Sequence, residues 1–252
     1  MIFLSELEKP LVSTPMNATG LMLLIPESPD AERDAVARVF EQHGGEVLRL
    51  GRFWDPPSID VHRVRIYGGT SFALVLQKKL GFKLCTPPDD LILSLPPEAL
   101  KRRIQKQRLQ DAENFQYPLF VKPVIPKLFA AQVYNNLAEL SRECHGLAVG
   151  TAVLTSDVVL FVAEARAFLL DGEVLDCALY EGDANVQEAA AAAARLARSL
   201  PLISALVLDV GLIEERGWVV IELNAAWGAG LNGCQAERIW PCIAAASGPP
   251  PA

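Results

Sequence analysis

Asp209, Glu222 and Asn224 carry three oxygen-bearing side chains whose spacing could place them around one metal ion. Glu222 and Asn224 stand two residues apart, and Asp209 precedes Glu222 by 13 residues. Two carboxylates and an amide oxygen are hard ligands that suit Mg²⁺, which binds a few protein carboxylates together with the phosphates of a nucleotide. The alternative is a surface hairpin with scattered acidic residues.

The chain around these three residues has the pattern of an antiparallel strand pair. Residues 207–213 and 218–223 are apolar runs, and the polar Glu215-Arg216-Gly217 between them is typical of a tight turn. Because side chains alternate faces along a strand, the glutamate and the asparagine point the same way, and the aspartate on the partner strand can face them. The pattern therefore predicts that the three side chains meet.

A lysine, Lys122, lies inside the apolar run of residues 117–124, which is predicted to be a strand. An unpaired ammonium is costly to bury, so we expect an anionic partner, and a phosphate suits lysine, which binds it as a compact point charge. Lys127, in the proline-broken loop that follows, could cover the same phosphates. The alternative is that the Lys122 ammonium reaches solvent at the strand end beside Pro123.

Glu164 and Arg166 stand at strand spacing between two apolar runs, and they therefore share one face of a strand. Arg166 could reach phosphate oxygens or a carboxylate, and Glu164 could accept hydrogen bonds from a ribose or an amine. The alternative for both is a salt bridge with a neighbouring strand.

The first part of the chain alternates between strand and helix patterns. An apolar run at residues 21–25 precedes Ser28-Pro29-Asp30, which opens a helix that Gly44-Gly45 ends. Three further strands and one helix are predicted at residues 46–50, 64–67, 82–86 and 70–80. These elements predict a small α/β lobe, which we assign to residues 1–95.

The second part of the chain follows a proline-bracketed connector and is assigned to residues 96–246. Its predicted elements are a polar helix, a strand, a second helix, a long hairpin and an alanine-rich helix, at residues 98–113, 117–124, 135–145, 158–180 and 186–200. The basic run Lys101–Arg108 is expected to be a solvated helix face, and residues 247–252 a frayed tail. The fold class is α/β, of the α+β kind.

The composition is that of a globular protein, with 51% hydrophobic and 21% charged residues among 252. No apolar run approaches the ~18 residues that a membrane span requires, and residues 1–10 show no secretory signal. Five cysteines without a Cys-x-x-Cys pair favour reduced thiols in a cytosol. A net charge of −7 argues against nucleic acid as a partner. We therefore expect a cytoplasmic protein that binds neither nucleic acid nor a membrane.

The order of these features resembles the ATP-grasp superfamily. The resemblance rests on Pro-Leu-Phe-Val-Lys122-Pro, on Glu164-x-Arg166 before an Asp-Gly turn, and on the spacing of the three metal-site residues. It covers roughly residues 91–241, and residues 21–87 resemble the small α/β domain that precedes the grasp. The loop after the strand lysine has no glycine and offers Lys127 instead, which resembles the compact clade marked by one arginine and two lysines.

The resemblance implies a fold whose antiparallel sheets clasp a nucleotide, with ATP and Mg²⁺ as cofactors. It implies that Asp209, Glu222 and Asn224 hold Mg²⁺ against the β- and γ-phosphates. It also implies that Lys122 contacts the nucleotide and that the adenine docks on backbone near residues 155–159.

The functional hypothesis is an ATP- and Mg²⁺-dependent ligase that joins a carboxylate to an amine through an acylphosphate. Lys122, Lys127, Glu164 and Arg166 are the predicted cofactor-binding residues, and Lys127 and Arg166 are also the predicted catalytic residues. The partners are then small-molecule or peptide carboxylates and amines, whose identity the sequence does not show. It does not show the oligomeric state either.

Two alternatives remain for the same scaffold. One is a phosphotransferase that stops at a phosphorylated product, and the other is a nucleotide-binding module without turnover. For the ligase we expect Glu222→Gln or Asp209→Asn to abolish turnover while leaving the fold nearly intact.

Three further features are ambiguous in the sequence. Gly228-Ala-Gly230-Leu-Asn-Gly233 fits a dinucleotide-binding pattern, but only 19 residues follow it, too few for the second strand of such a site. We expect a tight backbone near the metal site instead, with Trp227 as a wall. The turn at residues 65–71 could hold a carboxylate or be an ordinary strand-to-helix turn. Arg102 or Arg103 could reach the cleft, and nothing selects one.

Overall fold

The structure is a computed structural model that describes residues 17–249. Its helices are α1 (Ala31–Gln42), α2 (Thr70–Leu80), α3 (Pro97–Leu100), α4 (Leu137–Glu143), α5 (Val186–Ala197) and α6 (Ala236–Ala245). Its strands are β1 (Met22–Pro26), β2 (Glu46–Leu50), β3 (Val64–Ile66), β4 (Lys83–Leu84), β5 (Ile104–Arg108), β6 (Leu119–Pro123), β7 (Gln132–Tyr134), β8 (Ala152–Ser156), β9 (Ala163–Leu170), β10 (Glu173–Gly182), β11 (Ala205–Ile213), β12 (Gly217–Asn224) and β13 (Ser247–Gly248). This mixture of helices with antiparallel sheets confirms the predicted fold class.

The N-terminal lobe is built on a parallel sheet with the strand order β2-β1-β3. β1 occupies the middle because the run Leu23-Leu24-Ile25 is apolar on both faces and fully buried. α1 begins after Asp30, whose carboxylate accepts the Arg33 N–H at 2.8 Å, and the chain leaves it at the glycine pair 44–45. The lobe therefore has the predicted alternation of strand and helix. The segment 1–10, in which we found no secretory signal, lies outside the described residues.

The end of the described chain returns to this lobe. α6 packs against α1, and Ile239 and Trp240 of α6 belong to the same hydrophobic core as the parallel sheet. This core crosses the boundary that we placed at residue 95. We expected a frayed tail from residue 247, but the structure has a short strand there. Ser247 is buried, pairs with β4, and accepts the Ile66 N–H on its hydroxyl at 2.9 Å. Residues 250–252 of that tail lie outside the described residues.

A small antiparallel sheet with the order β5-β8-β6-β7 follows. The helix predicted over residues 98–113 is wrong. α3 ends after one turn, where Lys101 has a left-handed φ of 48°, and β5 then pairs with β8. Interstrand hydrogen bonds satisfy the backbone of this polar segment and outweigh its local helix propensity. The basic run is therefore mostly a strand.

A larger antiparallel sheet has the order β10-β9-β11-β12, and α5 packs on it. Both predicted turns are present, at Asp171-Gly172 and at Glu215-Arg216-Gly217, and each contains residues with positive φ. β9 begins at Ala163 rather than at the predicted Val158, so residues 157–162 form a loop.

No helix among residues 17–249 is long and apolar enough to cross a membrane. All five cysteines are free thiols.

Candidate active site

A cleft with a volume of about 1000 Å³ lies between the small and the large antiparallel sheets. β6 and β8 line it on one side, and β9 and β12 line it on the other. The connector before β5 and the segment 225–230 after β12 close its ends. Six of the seven predicted site residues line this cleft, namely Lys122, Lys127, Glu164, Arg166, Glu222 and Asn224. Asp209, the seventh, is buried behind them.

Asp209 is paired with Arg166. The two residues are register partners on β11 and β9, and Glu222 is the partner of Asp209 on its other side, on β12. Arg166 donates from Nε to Asp209 Oδ1 at 2.8 Å and from Nη2 to Oδ2 at 2.6 Å. The side chains are only 11% and 2% exposed, so the ion pair that the sequence left as an alternative is present, and it is bidentate.

This pairing influences the protonation of both groups. Burial raises the pKa of Asp209 above its ordinary value, and the hydrogen bonds from Arg166 oppose that rise. For Arg166, burial works to lower the pKa, but the hydrogen bonds and the charge of Asp209 raise it overall. The guanidinium therefore stays charged at the floor of the cleft.

Glu222 and Asn224 share one face of β12, as the alternation predicted. Asn224 donates from Nδ2 to Glu222 Oε1 at 2.9 Å and to Asp209 Oδ2 at 3.2 Å, so its amide bridges the two carboxylates. The ammonium of Lys122 lies 3.5 Å from Glu222 Oε2 across the cleft. Burial works to raise the pKa of Glu222, but the bond from Asn224 and the charge of Lys122 lower it below its ordinary value.

The donor chemistry here fits Mg²⁺. The carboxylates of Asp209 and Glu222 converge on the same amide nitrogen of Asn224, which shows that all three side chains can reach one point. Among residues 17–249 there is no cluster of three or more His, Cys, Asp or Glu side chains suited to a metal. A divalent ion would therefore need the Asn224 oxygen and ligand phosphates besides the two carboxylates. It would also need Arg166 to yield part of its contact with Asp209.

Glu164 has a partner that the sequence did not reveal. Its Oε2 accepts a hydrogen bond from the hydroxyl of Tyr180 at 2.7 Å. A register irregularity between Leu179 and Glu181 places Tyr180 there, with its ring centroid 5.9 Å from the Arg166 guanidinium carbon. Burial, together with the bond to Glu164, raises the pKa of this tyrosine well above its ordinary value. Such an irregularity depends on the pairing with the neighbouring strand. The alternation of side chains along one strand therefore cannot predict it.

Lys127 lies in the exposed loop between β6 and β7, with a φ of 68°. It lines the cleft, and its side chain has no hydrogen-bond or ion-pair partner among the described residues. The segment expected to dock an adenine also reaches the cleft, since Ser156, Val158 and Val159 line it beside Phe120. This end of the cleft is largely apolar.

The structure distinguishes the two arginines of the connector. Arg102 lines the cleft, donates to the carbonyl of Val220 at 2.8 Å, and stands 5.5 Å from the ring centroid of Phe161. Burial lowers the pKa of Arg102 to about 10. Arg103 is exposed and lies 3.5 Å from Asp157. Arg102 is therefore the arginine that reaches the cleft.

The N-terminal lobe closes the far end of the cleft. The Gly68 N–H donates to the carbonyl of Trp227 at 2.9 Å, and the indole Nε1 of Trp227 donates to Thr86 Oγ1 at 3.1 Å. Trp227 is buried and contributes to the wall, as expected, and Thr70 at the start of α2 lines the cleft near it. The turn at residues 65–71 thus holds the loop after β12, and whether it also holds a carboxylate stays a prediction.

Comparison with known proteins points to one family. Residues 100–241 match the model of an ATP-grasp domain family, family 2 of the clade that is marked by one arginine and two lysines. No curated protein sequence matches the chain significantly.

Several solved structures share the fold. A RimK domain ATP-grasp protein from Sphaerobacter thermophilus DSM 20745 has a TM-score of 0.61 at 16% identity, over 88% of this chain and 98% of that one. The D-cycloserine synthetase DcsG has a TM-score of 0.59 at 16% identity, over 89% and 98%. The ATP-grasp ligase PsnB, complexed with a minimal precursor, Mg and ADP, has a TM-score of 0.52 at 12% identity, over 92% and 98%.

Proposed function

Because the chain belongs to family 2 of the arginine-and-two-lysines clade of ATP-grasp domains, we propose that it is an ATP- and Mg²⁺-dependent ligase that joins a carboxylate to an amine. The observation that carries the proposal is the convergence of Lys122, Arg166 and Glu222 on one cleft between two antiparallel sheets. The sheets supply cations for phosphate oxygens and a carboxylate for a metal ion at the same place. Such a combination suits phosphoryl transfer, which needs alignment and charge neutralisation more than a side-chain nucleophile.

The metal site of this proposal consists of Asp209, Glu222 and Asn224. When bound there, Mg²⁺ supplies positive charge that offsets the charge of the nucleotide phosphates. Glu222 faces the cleft, and Asn224 presents its oxygen after a turn of its amide. Arg166 would release one oxygen of Asp209 and turn toward a phosphate, which is an equally good bidentate partner for a guanidinium.

The chain's own cations bind and align the phosphates. Lys122, 28% exposed, faces Glu222 across the cleft and would hold the nucleotide phosphates there. Lys127 approaches from the exposed loop after β6, whose residues 124–131 contain no glycine, and would cover the phosphates from that loop. Arg166 stabilises the charge that develops on the transferred phosphoryl group.

The reaction proceeds in two steps. An oxygen of the substrate carboxylate attacks the terminal phosphorus of ATP, and ADP leaves with the electron pair of the broken bond. The nitrogen of the amine then attacks the acyl carbon, phosphate leaves, and the nitrogen loses a proton.

The size of the cleft supports a substrate beside the nucleotide. A volume of about 1000 Å³ is at the upper limit of the ~300–1000 Å³ common for small-molecule sites. The apolar end near Val158 suits a base, and the end near Thr70 and Trp227 is left for the carboxylate and the amine. Among the similar structures, PsnB binds a precursor and DcsG is a D-cycloserine synthetase. Peptides and small molecules are therefore both suitable substrate classes.

A nucleotide-binding module without turnover is the second candidate. One observation favours it, the burial of Asp209 beneath Arg166. If the Arg166–Asp209 ion pair never opened, Asp209 could not bind a metal ion. The two candidates differ in whether Mg²⁺ strengthens nucleotide binding.

Isothermal titration with a non-hydrolysable ATP analogue, with and without Mg²⁺, tests the proposal. We expect binding that depends on Mg²⁺ in the natural protein and loses that dependence in Glu222→Gln. Binding that ignores Mg²⁺ would favour the module without turnover, and folded protein that binds no nucleotide would overturn both. A positive result leads to a screen of carboxylates and amines for amide formation.

A further inference from the structure

The glycine loop, residues 225–233, contains the motif Gly228-Ala-Gly230-Leu-Asn-Gly233, which the proposed function leaves without a role. Its backbone amides bind a carboxylate of the protein itself. Glu32, in the first turn of α1, accepts the Leu231 N–H on Oε2 at 2.8 Å and the Asn232 N–H on Oε1 at 3.1 Å. Both oxygens of one side chain therefore hold two successive amides from a segment about 200 residues away.

Gly230 connects this contact to the candidate active site. Its carbonyl accepts a hydrogen bond from Arg166 Nη1 at 3.0 Å. A Cβ added at Gly230 would lie 2.9 Å from Glu32 Oε2, closer than real Cβ contacts. Gly230 thus lies between Glu32 and the Arg166 guanidinium. The contacts with Glu32 and Arg166 determine where the Gly230 carbonyl points.

The rest of the glycine loop is anchored separately. The hydroxyl of Tyr67 donates to the carbonyl of Ala229 at 2.9 Å, and the Gly68 N–H donates to the carbonyl of Trp227. These bonds hold the first half of the loop, before Gly230. Glu32 holds the second half, after Gly230, and the start of a helix favours its negative charge. Loss of Glu32 would therefore release one side of Gly230 without releasing the whole loop.

We propose that Glu32 is a positioning residue for Arg166 and acts through the glycine loop. The bonds to Asp209 fix two nitrogens of the guanidinium, and the Gly230 carbonyl fixes the third. When Arg166 turns toward a phosphate, as the proposed function requires, the Gly230 carbonyl is the anchor about which it turns. The N-terminal lobe thereby aims the cation that lies at the transferred phosphoryl group, and this inference rests on the proposed function for that role.

The first test needs no ligand. Nuclear magnetic resonance of the ligand-free protein can follow the Nε–H of Arg166, identified by its loss in Arg166→Lys. We expect this signal to shift or broaden in Glu32→Gln, because the two loop amides bind different oxygens of Glu32 and glutamine replaces one of them by an NH2 group, which only donates. Glu41→Gln is the matched control, since Glu41 is exposed on the same helix. An unchanged Arg166 signal in Glu32→Gln would overturn the proposal.

The second test measures what Arg166 does for a terminal phosphate. The ratio of the affinities for Mg²⁺-bound AMPPNP and ADP, from isothermal titration, isolates the contribution of that phosphate. We expect Glu32→Gln to reduce this ratio about tenfold while leaving the ADP affinity in place, because a misaligned guanidinium would lose a charge-assisted hydrogen bond to the terminal phosphate. If Glu32 had only a structural role, Glu32→Gln would weaken the binding of both nucleotides by the same factor.

A double variant separates the two proposals. The double variant Glu32→Gln/Arg166→Lys should have the same ratio of AMPPNP to ADP affinity as Arg166→Lys alone. The reason is that Glu32 acts through the Arg166 guanidinium, which is absent in both variants. Effects that multiply would show that Glu32 acts elsewhere and would overturn the inference. If the natural protein binds neither nucleotide, the proposed function fails, and the resonance of Arg166 in the ligand-free protein still decides the connection to Glu32.

Discussion

The guanidinium of Arg166 covers both carboxylate oxygens of Asp209, at 2.8 and 2.6 Å, so a predicted metal ligand is already paired within the protein. The pair sits between β9 and β11 at the floor of the cleft, where 2% of the Asp209 side chain is exposed. Glu222, the other predicted carboxylate ligand, is 39% exposed and faces the cleft. The two carboxylates therefore differ in what their removal should do.

Asp209→Asn should destabilise the protein, in contrast to the nearly intact fold that we expected from the sequence. The change leaves the buried Arg166 guanidinium without its counter-charge, and breaking a buried ion pair in this way typically costs about 3 kcal/mol. Urea unfolding measures the loss, with Asp90→Asn as control because Asp90 forms an exposed pair with Lys106 at 2.7 Å. Equal stability of the two variants would show that the Asp209 pair contributes little.

Arg166→Gln should bind a divalent ion more tightly than the natural protein when no nucleotide is present. The substitution uncovers both oxygens of Asp209 and removes a positive charge beside them, so we expect about tenfold tighter binding. Electron paramagnetic resonance with Mn²⁺ measures the free ion, and Arg195→Gln, on an exposed position of α5, is the control. Weaker Mn²⁺ binding in Arg166→Gln would mean that Arg166 does not block the site.

Lys122→Ala should weaken the binding of Mg²⁺-ADP about tenfold, equivalent to ~1.4 kcal/mol. The ammonium is 28% exposed, lines the cleft and lies beside Glu222, where phosphates would replace the carboxylate as its partner. Calorimetry compares it with Lys79→Ala, which removes an exposed lysine from α2. An affinity unchanged by the Lys122 substitution would remove this residue from the nucleotide site.

Four thiols, three of them buried and that of Cys177 half-buried, should resist alkylation in the folded protein at pH 8. Burial raises their pKa values, and because the thiolate is the reactive form, a raised pKa lowers the reactive fraction at any pH below it. The pKa values rise to about 11 for Cys144 and Cys177 and to about 12 for Cys234 and Cys242. Labelling by iodoacetamide, followed by mass spectrometry, should therefore be at least ~100-fold slower at these four positions than in urea-unfolded chain. Fast labelling of the folded protein would contradict this.

The hairpin that carries Asp209, Glu222 and Asn224 could be predicted because its information is local. Alternation with period two places Glu222 and Asn224 on one face, and the turn pairs β11 with β12. A register irregularity between Asp209 and Val210, which local pattern does not reveal, then brings Asp209 opposite Glu222 rather than Ile221. Lys122 could be singled out for a similar reason, as a charge inside an apolar run. The family resemblance rested on these same local features, and the family match over residues 100–241 confirms it.

Other parts of the site depend on partners that are distant in the chain. The segment 104–108 has local helix propensity, yet it pairs with β8, since a strand's hydrogen bonds come from a neighbour that its own sequence does not specify. Arg102, rather than Arg103, reaches the cleft through contacts with Val220 and Phe161, which are distant in the chain. Tyr180 reaches Glu164 only through an irregularity between two strands.

The sequence by itself determined the local chemistry of this protein: strand faces, turns, the spacing of the oxygen ligands, and a lysine that needs an anion. Only the tertiary structure decided that Arg166 covers Asp209 and that Glu32 holds the glycine loop. The physical reason is that a strand or helix period specifies which side chains share a face. It does not specify which other face will pack against them, because that depends on contacts between segments up to 200 residues apart.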